Sequence, residues 1–248
     1  MASETHQDFM PSGAAGARFA ELLSKLPDCR RRTLARAQWL RPSAVLPDCH
    51  LLLESGAALV VRNGMALALL GPGDCFSTEG EGSLRGSDVL AVTSTTFLTL
   101  PAGRYFAVLR QNAELSAAAV AAHAESKSWN LLYQQALARR DPVSRLASVS
   151  AVFLGRSGST CPLVGGRFAL LSQSVLAVMC RLSRQAVNRA LAWLRLRRLL
   201  YSGRGFLCAP DLRVLWEVAE GHLKRDTAPP AHCKLRHPEE PLDCRPPS

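Results

Sequence analysis

From Arg104 to Arg140 the chain carries neither proline nor glycine, and no other feature of the sequence limits its fold as strongly. So long a stretch without a breaker predicts helix, and at about 1.5 Å rise per residue it outruns what one small domain can cover. It therefore divides the chain. On its N-terminal side the texture is of short apolar runs punctuated by glycine: Leu51-Leu52-Leu53, Ala57 to Val61, Met65 to Leu70, Val89 to Val92 and Phe97 to Leu100. Asn63-Gly64 lies between two of these runs with hairpin-turn chemistry, and Gly56, Gly71 and Gly73 mark further turns. Antiparallel strands of a sandwich or barrel are the expected result.

Ahead of the strands, Phe19, Leu22, Leu23 and Leu26 fall on one face of a helix that Pro27 should stop. Residues 1–17 are small and polar and are expected to be mobile. The triplet Arg30-Arg31-Arg32 is expected on a solvated helix face. Within the breaker-free stretch, Leu115, Ala119, Ala122, Ser126, Trp129, Tyr133 and Ala136 recur at alternating steps of four and three, a heptad pattern. A neighbouring phase through Ala118, Ala122, Trp129, Leu132 and Ala136 fits nearly as well. The face either lies on the barrel or, as preferred here, forms a dimer seam of Leu115, Ala119, Ala122, Trp129 and Tyr133.

Asp141-Pro142 marks a new helix start, with Asp141 as N-cap and Pro142 in the first turn. Leu146, Val149, Val152 and Phe153 supply its apolar face, and Gly155 to Gly166 is expected as a loop. Then come two apolar-periodic segments separated only by Cys180, Arg181 and Leu182. The first is capped by Ser172 and turns Val175, Leu176 and Met179 inward. The second is capped by Ser183 and runs through Val187, Ala190, Leu191 and Leu194. Such a pair is a helix-turn-helix, and Tyr201 to Leu207 after it has the look of a two-stranded wing with a Gly-rich tip.

Charge supports this placement. The net charge is +10, yet Pro142 to Pro210 holds ten arginines and no Asp, Glu or Lys, leaving equal numbers of basic and acidic side chains elsewhere. An acid-free basic segment suits a polyanion. On the second helix Arg184, Gln185, Asn188 and Arg189 share the polar stripe of the first two turns. Arg can donate two bonds to guanine, and Gln or Asn can pair with adenine, so these four are the candidate base readers in a major groove. Arg195, Arg197, Arg198 and Arg204, with the cap residues Ser172 and Ser183, are candidates for the DNA backbone.

The runs Leu171-Ser172-Gln173-Ser174-Val175-Leu176-Ala177 and Leu182-Ser183-Arg184-Gln185-Ala186-Val187-Asn188-Arg189-Ala190-Leu191, followed by Leu199-Leu200, resemble the winged helix of the CRP/FNR superfamily of bacterial transcription regulators. The resemblance places Arg184, Gln185 and Arg189 on the family's base-reading positions, with Asn188 as a fourth. Arg181 departs from it, standing at a turn position usually held by Gly. Leu53-Glu54-Ser55-Gly56-Ala57-Ala58-Leu59-Val60 looks like a strand pair of the cyclic-nucleotide-binding fold, and Gly71-Pro72-Gly73-Asp74-Cys75-Phe76 like its Gly-Asp-x-Phe turn. The nucleotide pocket is where the match fails. Ser77-Thr78 replaces the ribose-binding Gly-Glu, Glu79 and Glu81 add acid where the phosphate would rest, and Arg85 and Ser87 are not adjacent. Thr78, Arg85 and Ser87 remain the only pocket candidates. No cofactor is expected, a cyclic nucleotide being the disfavoured alternative.

The expected fold class is therefore α+β. It comprises a mobile start (1–17), a jelly-roll-like cyclic-nucleotide-binding-type barrel (18–110), a dimerisation helix (111–140), a winged helix-turn-helix domain (141–222) and a flexible Pro-rich tail (223–248). The resemblance implies a homodimeric transcription regulator on a palindromic operator in double-stranded DNA, with RNA polymerase as a further partner. The alternative is a nucleic-acid binder without regulatory function, architectural or RNA-binding. No enzymatic activity is expected, since no Ser-His-Asp, metal or phosphate-loop pattern occurs. His232, Cys233, His237 and Cys244 lie in a segment holding six of the fifteen prolines and are not expected to bind metal. No run reaches the roughly 18 apolar residues of a membrane span, and Met1 to Ala17 does not have the pattern of a secretion signal, so a cytoplasmic protein with mostly structural, reduced cysteines is expected.

Overall fold

The computed structural model describes residues 10–46, 48–78, 86–161, 165–203 and 205–220. The expected mobile start, the tail from 223 onward with its His and Cys residues, Glu79, Glu81, Arg85 and Arg204 lie wholly or partly outside these ranges. Element order is α1 (Ala14–Ser24), β1 (Arg30–Leu34), β2 (Trp39–Leu40), α2 (Pro42–Val45), β3 (Cys49–Ser55), β4 (Ala58–Arg62), β5 (Met65–Leu70), β6 (Cys75–Ser77), β7 (Asp88–Ala91), β8 (Thr95–Pro101), α3 (Ala102–Gln111) and α4 (Ala113–Ala138). It continues with α5 (Pro142–Ser157), β9 (Ser159–Thr160), β10 (Arg167–Ala169), α6 (Gln173–Cys180), α7 (Arg184–Leu196), β11 (Tyr201–Gly203), β12 (Phe206–Ala209) and α8 (Leu212–Glu220).

Two compact units result, and the division falls between Leu132 and Tyr133, inside α4 and not at Asp141. In the first unit the strands form two antiparallel four-stranded sheets, ordered β1-β8-β3-β6 and β2-β7-β4-β5. Leu51, Leu53 and Phe97 of one sheet meet Ala58, Val60, Leu70 and Val89 of the other in a shared core. Among the described residues no strand pairing closes the sheets into a barrel, so the expected barrel is a two-sheet sandwich. Asn63 (φ 51°) and Gly64 (φ 75°) are both left-handed, as the tight β4–β5 turn demands.

Leu51, Leu52 and Leu53 are all buried because β3 is covered on both sides. Its second face, Leu52 with Leu98 and Leu100 of β8, packs against Phe19 and Leu23 of α1, Tyr105 and Val108 of α3, and Leu115 and Ala122 of α4. The helix expected around Phe19 is present but starts earlier, at Ala14, which corrects the assignment of residues 14–17 to a mobile start. Its small residues permit close approach: a Cβ on Gly16 would lie 2.4 Å from the Pro72 carbonyl oxygen, and one on Gly73 2.0 Å from Gly16 Cα. Glu125 of α4 then closes the helix start, accepting from Gly13 N at 2.5 Å and Gly16 N at 3.0 Å. Glu125→Ala is expected to cost about 0.5–2 kcal/mol, the range of a lost N-cap, seen as a lower Tm with faster amide exchange confined to α1.

Three further expectations are corrected. Arg30, Arg31 and Arg32 lie on edge strand β1, paired with β8, and not on a helix; Arg31 spans to Glu54 with N···O distances of 2.8–3.1 Å. The breaker-free stretch is two helices, because Asn112 leaves the helical region (φ −127°, ψ 103°) and its Oδ1 accepts from Leu115 N at 3.0 Å. Asn interrupts a helix by capping the next one, without needing Pro or Gly. Helix α5, capped as expected by Asp141 accepting from Ser144 N at 2.9 Å, continues through Gly155 to Ser157, where a loop was expected. Arg167 supports this end by donating to the Gly155 carbonyl at 3.4 Å and to the Leu154 carbonyl at 3.2 Å, the latter also accepting from Gly158 N at 2.9 Å.

Candidate nucleic-acid interface

The second unit builds its surface on α6 and α7. Ser172 Oγ accepts from Val175 N at 3.3 Å and Ser183 Oγ from Ala186 N at 3.2 Å, so both expected serines cap their helices. Between them Arg181 is left-handed (φ 51°, ψ 44°). Its N–H donates to Val178 O at 3.1 Å, and Leu182 N donates to Ala177 O at 3.0 Å, the paired bonds that close a helix before a sharp turn. Glycine usually takes that place; arginine does so at a cost of about 1 kcal/mol. Cys180 belongs to α6, so the connection is Arg181 to Ser183.

Val187, Ala190, Leu191 and Leu194 of α7 are buried. Arg184, Gln185, Asn188 and Arg189 are all exposed on the opposite side, as expected. Arg184 is also tied to α6, with Nη2 donating to Ser174 Oγ at 2.6 Å. The hairpin β11–β12 follows, and Gly205 at its tip accepts from Leu171 N at 2.9 Å, which fixes the tip beside the entry to α6. The candidate backbone contacts divide. Arg195 and Ser183 are exposed and Ser172 is half-buried. Arg197 is half-buried, its guanidinium stacked 4.0 Å over the Trp193 ring. Arg198 is half-buried in a left-handed conformation (φ 56°) just past the end of α7. Two further arginines of the basic segment serve the fold: Arg167 as above, and Arg145, whose Nε donates to Arg139 O at 2.8 Å.

Helix α4 requires the largest correction. Leu115, Ala122, Trp129 and Tyr133, four of the five seam residues, are at most 2% exposed. Ala119 is half-buried. Leu115 and Ala122 pack with α1 and α3 against the outer face of β3 and β8, so this face is occupied by the chain itself. Tyr133 donates to the Met179 carbonyl at 2.7 Å, joining the end of α4 to the last turn of α6. Tyr133→Phe leaves that buried carbonyl without its donor and is expected to cost about 1–3 kcal/mol in denaturant unfolding. The opposite face of α4 is largely apolar as well. Ala113, Ala117, Val120, Ala124, Lys127 and Leu131 follow the heptad steps outward, with Lys127 the one charged member and Val120 69% and Leu131 60% exposed.

In the sandwich, the two pocket candidates among the described residues, Thr78 and Ser87, are engaged within the fold, and Arg85 lies outside those residues. Thr78 is fully buried, its Oγ1 accepting from Cys49 N at 2.9 Å and donating to Cys49 O at 3.1 Å. Ser87 Oγ accepts from Arg62 Nε at 3.0 Å. Asp74 is buried and accepts from Gly71 N at 2.9 Å, which closes the Gly71–Asp74 turn. Burial pushes the Cys75 thiol up to about 11, and its neighbours are Tyr105 Oη at 3.7 Å and His50 Nδ1 at 3.9 Å, so it is a protonated, inward thiol at neutral pH. Among the described residues no group of three or more His, Cys, Asp or Glu could hold a metal, and no helix is long and apolar enough to cross a membrane.

No protein-family model matches the sequence, and no curated protein matches it at a significant level. Solved structures do match. A CRP-family transcriptional regulator from Thermus thermophilus is similar with a TM-score of 0.61 at 21% identity, covering 80% of this chain and 98% of that one. A mutant of CooA from Carboxydothermus hydrogenoformans gives 0.59 at 20% identity, over 80% and 90% of the two chains. A cyclic nucleotide-binding domain containing protein from Listeria monocytogenes gives 0.64 at 13% identity, over 79% and 98%. The fold is thus shared with CRP/FNR transcriptional regulators along nearly their whole length.

Proposed function

We propose that this chain is a CRP/FNR-type transcription regulator that binds a specific DNA sequence as a homodimer in the cytoplasm, and that it is not an enzyme. The observation that carries this reading is α7. It sets Arg184, Gln185, Asn188 and Arg189 on one exposed stripe, braced by a buried apolar face and a tight turn, in a segment without a single acid. In this reading α6 and α7 are a helix-turn-helix, α7 enters the major groove, and the β11–β12 hairpin is the wing. Arg195, with the Ser172 and Ser183 hydroxyls, holds the backbone, and Arg197 contributes as a brace for the end of α7 through Trp193.

The dimer forms through the outward face of α4, because Ala, Val and Leu at heptad spacing, interrupted only by Lys127 whose long stem can carry its charge to the seam's edge, make a poor solvated face and a good helix seam. The sandwich serves as a sensor or degenerate effector domain. Its Thr78 and Ser87 hydroxyls are already engaged, which speaks for a pocket without a resident nucleotide. RNA polymerase is the expected partner on DNA. A titration of promoter fragments against scrambled DNA of equal composition, repeated at several salt concentrations, tests the proposal. A tight site about 10³-fold or more above scrambled DNA is expected; equal affinity for every duplex contradicts specific regulation and fits an architectural protein.

A further inference from the structure

We propose that Ser174 positions Arg184 for base reading, and so sets specificity at a base pair that Ser174 itself does not touch. The inference rests on α7 being the reading helix and goes beyond it by assigning a role to α6. Ser174 is exposed in the first turn of α6, ten residues before Arg184 and on the other helix of the pair. Its hydroxyl oxygen accepts from Arg184 Nη2 at 2.6 Å, across the Arg181–Ser183 connection.

An unrestrained arginine side chain has many rotamers, and part of that freedom is lost whenever it makes an oriented contact. A fixed acceptor on a neighbouring helix removes some of that freedom before DNA arrives. Ser174 takes one of five guanidinium N–H groups, which leaves enough donors on one edge to meet guanine O6 and N7 together. A hydroxyl suits the task because it orients the cation without neutralising it, and Pro142 to Pro210 offers no carboxylate to compete. Arg189, by contrast, has no side-chain hydrogen-bond partner among the described residues. The two arginines thus differ in preparation: Arg184 is held in advance and Arg189 is ordered on binding.

The test measures affinity for the operator and for operators changed at single base pairs, using full-length protein. Ser174→Ala is expected to lower discrimination at the base pair read by Arg184 by about two- to tenfold, the effect of freeing one long side chain, while affinity for random DNA and the Tm stay at parental values. Ser174→Thr retains the hydroxyl and should retain discrimination. In an Arg184→Ala background, Ser174→Ala should change nothing more. A uniform loss on all sequences would make Ser174 a phosphate contact and overturn the proposal, as would unchanged discrimination when Arg184→Ala alone reduces it. If Arg184→Ala alters no base preference, the assignment of α7 falls as well.

Discussion

Replacing Val120 and Leu131 together with glutamate is expected to turn the protein into monomers and to weaken binding to a two-half-site operator by about 10²-fold or more. Both side chains are on the outward face of α4, 69% and 60% exposed, so the substitutions remove nothing from the core. Exposed changes of this kind shift stability by about 0.5 kcal/mol or less. In a dimer they would place four carboxylates in the seam against only two Lys127 ammonium groups, where the excess charge repels and loses hydration. Each half-site would then be bound alone, and the gain from tethering the second reading helix would vanish. Sedimentation and DNA binding on the same samples check both parts. A variant that remains dimeric and binds as the parent does places the seam elsewhere.

The second large effect is at Arg189. Arg189→Ala is expected to cost about 1–3 kcal/mol per half-site and to abolish preference at one base pair in each, the loss of a bidentate contact to a base edge. The side chain is exposed and α7 packs through Val187, Ala190, Leu191 and Leu194, so the fold should be untouched. Arg195→Ala is the control. As a backbone contact it should weaken binding on all sequences and reduce the salt slope by about 1. If the two variants behave alike, α7 does not read bases through Arg189.

The parts of this molecule that were legible in the sequence are those where one local rule decides. Ser172 and Ser183 were visible as caps because an N-cap needs only its own hydroxyl and the next turn; Asn63-Gly64 and Asp141-Pro142 were visible for the same reason. Periodicity also placed the buried stripe of α7, and hence the exposed one. Helix α4 was misread because it has two apolar faces, and spacing cannot say which of them meets its own chain. Only the aromatic pair gives a signal: Trp129 and Tyr133 are too large to leave outside a core, whereas both faces hold alanines and both hold leucine. Gly16 and its small neighbours were mistaken for a mobile start because their role, contact with Pro72 and Gly73, is made only in the fold. The Asn112 break, the strand at Arg30–Arg32 and the carbonyl-closing roles of Arg145 and Arg167 likewise depend on partners distant from the residues themselves or on a cap that resembles ordinary helix sequence.

Selection from a pool of random duplexes, run in parallel with the parent and with Arg189→Ala, tests the central claim most directly. The parent should enrich one palindrome with half-sites about one helical turn apart, the spacing of dimers that present such helices. Arg189→Ala should enrich the same palindrome with the preference lost at one symmetric pair of positions. A parent that enriches no sequence, or a variant whose motif is identical to the parent's, would contradict it.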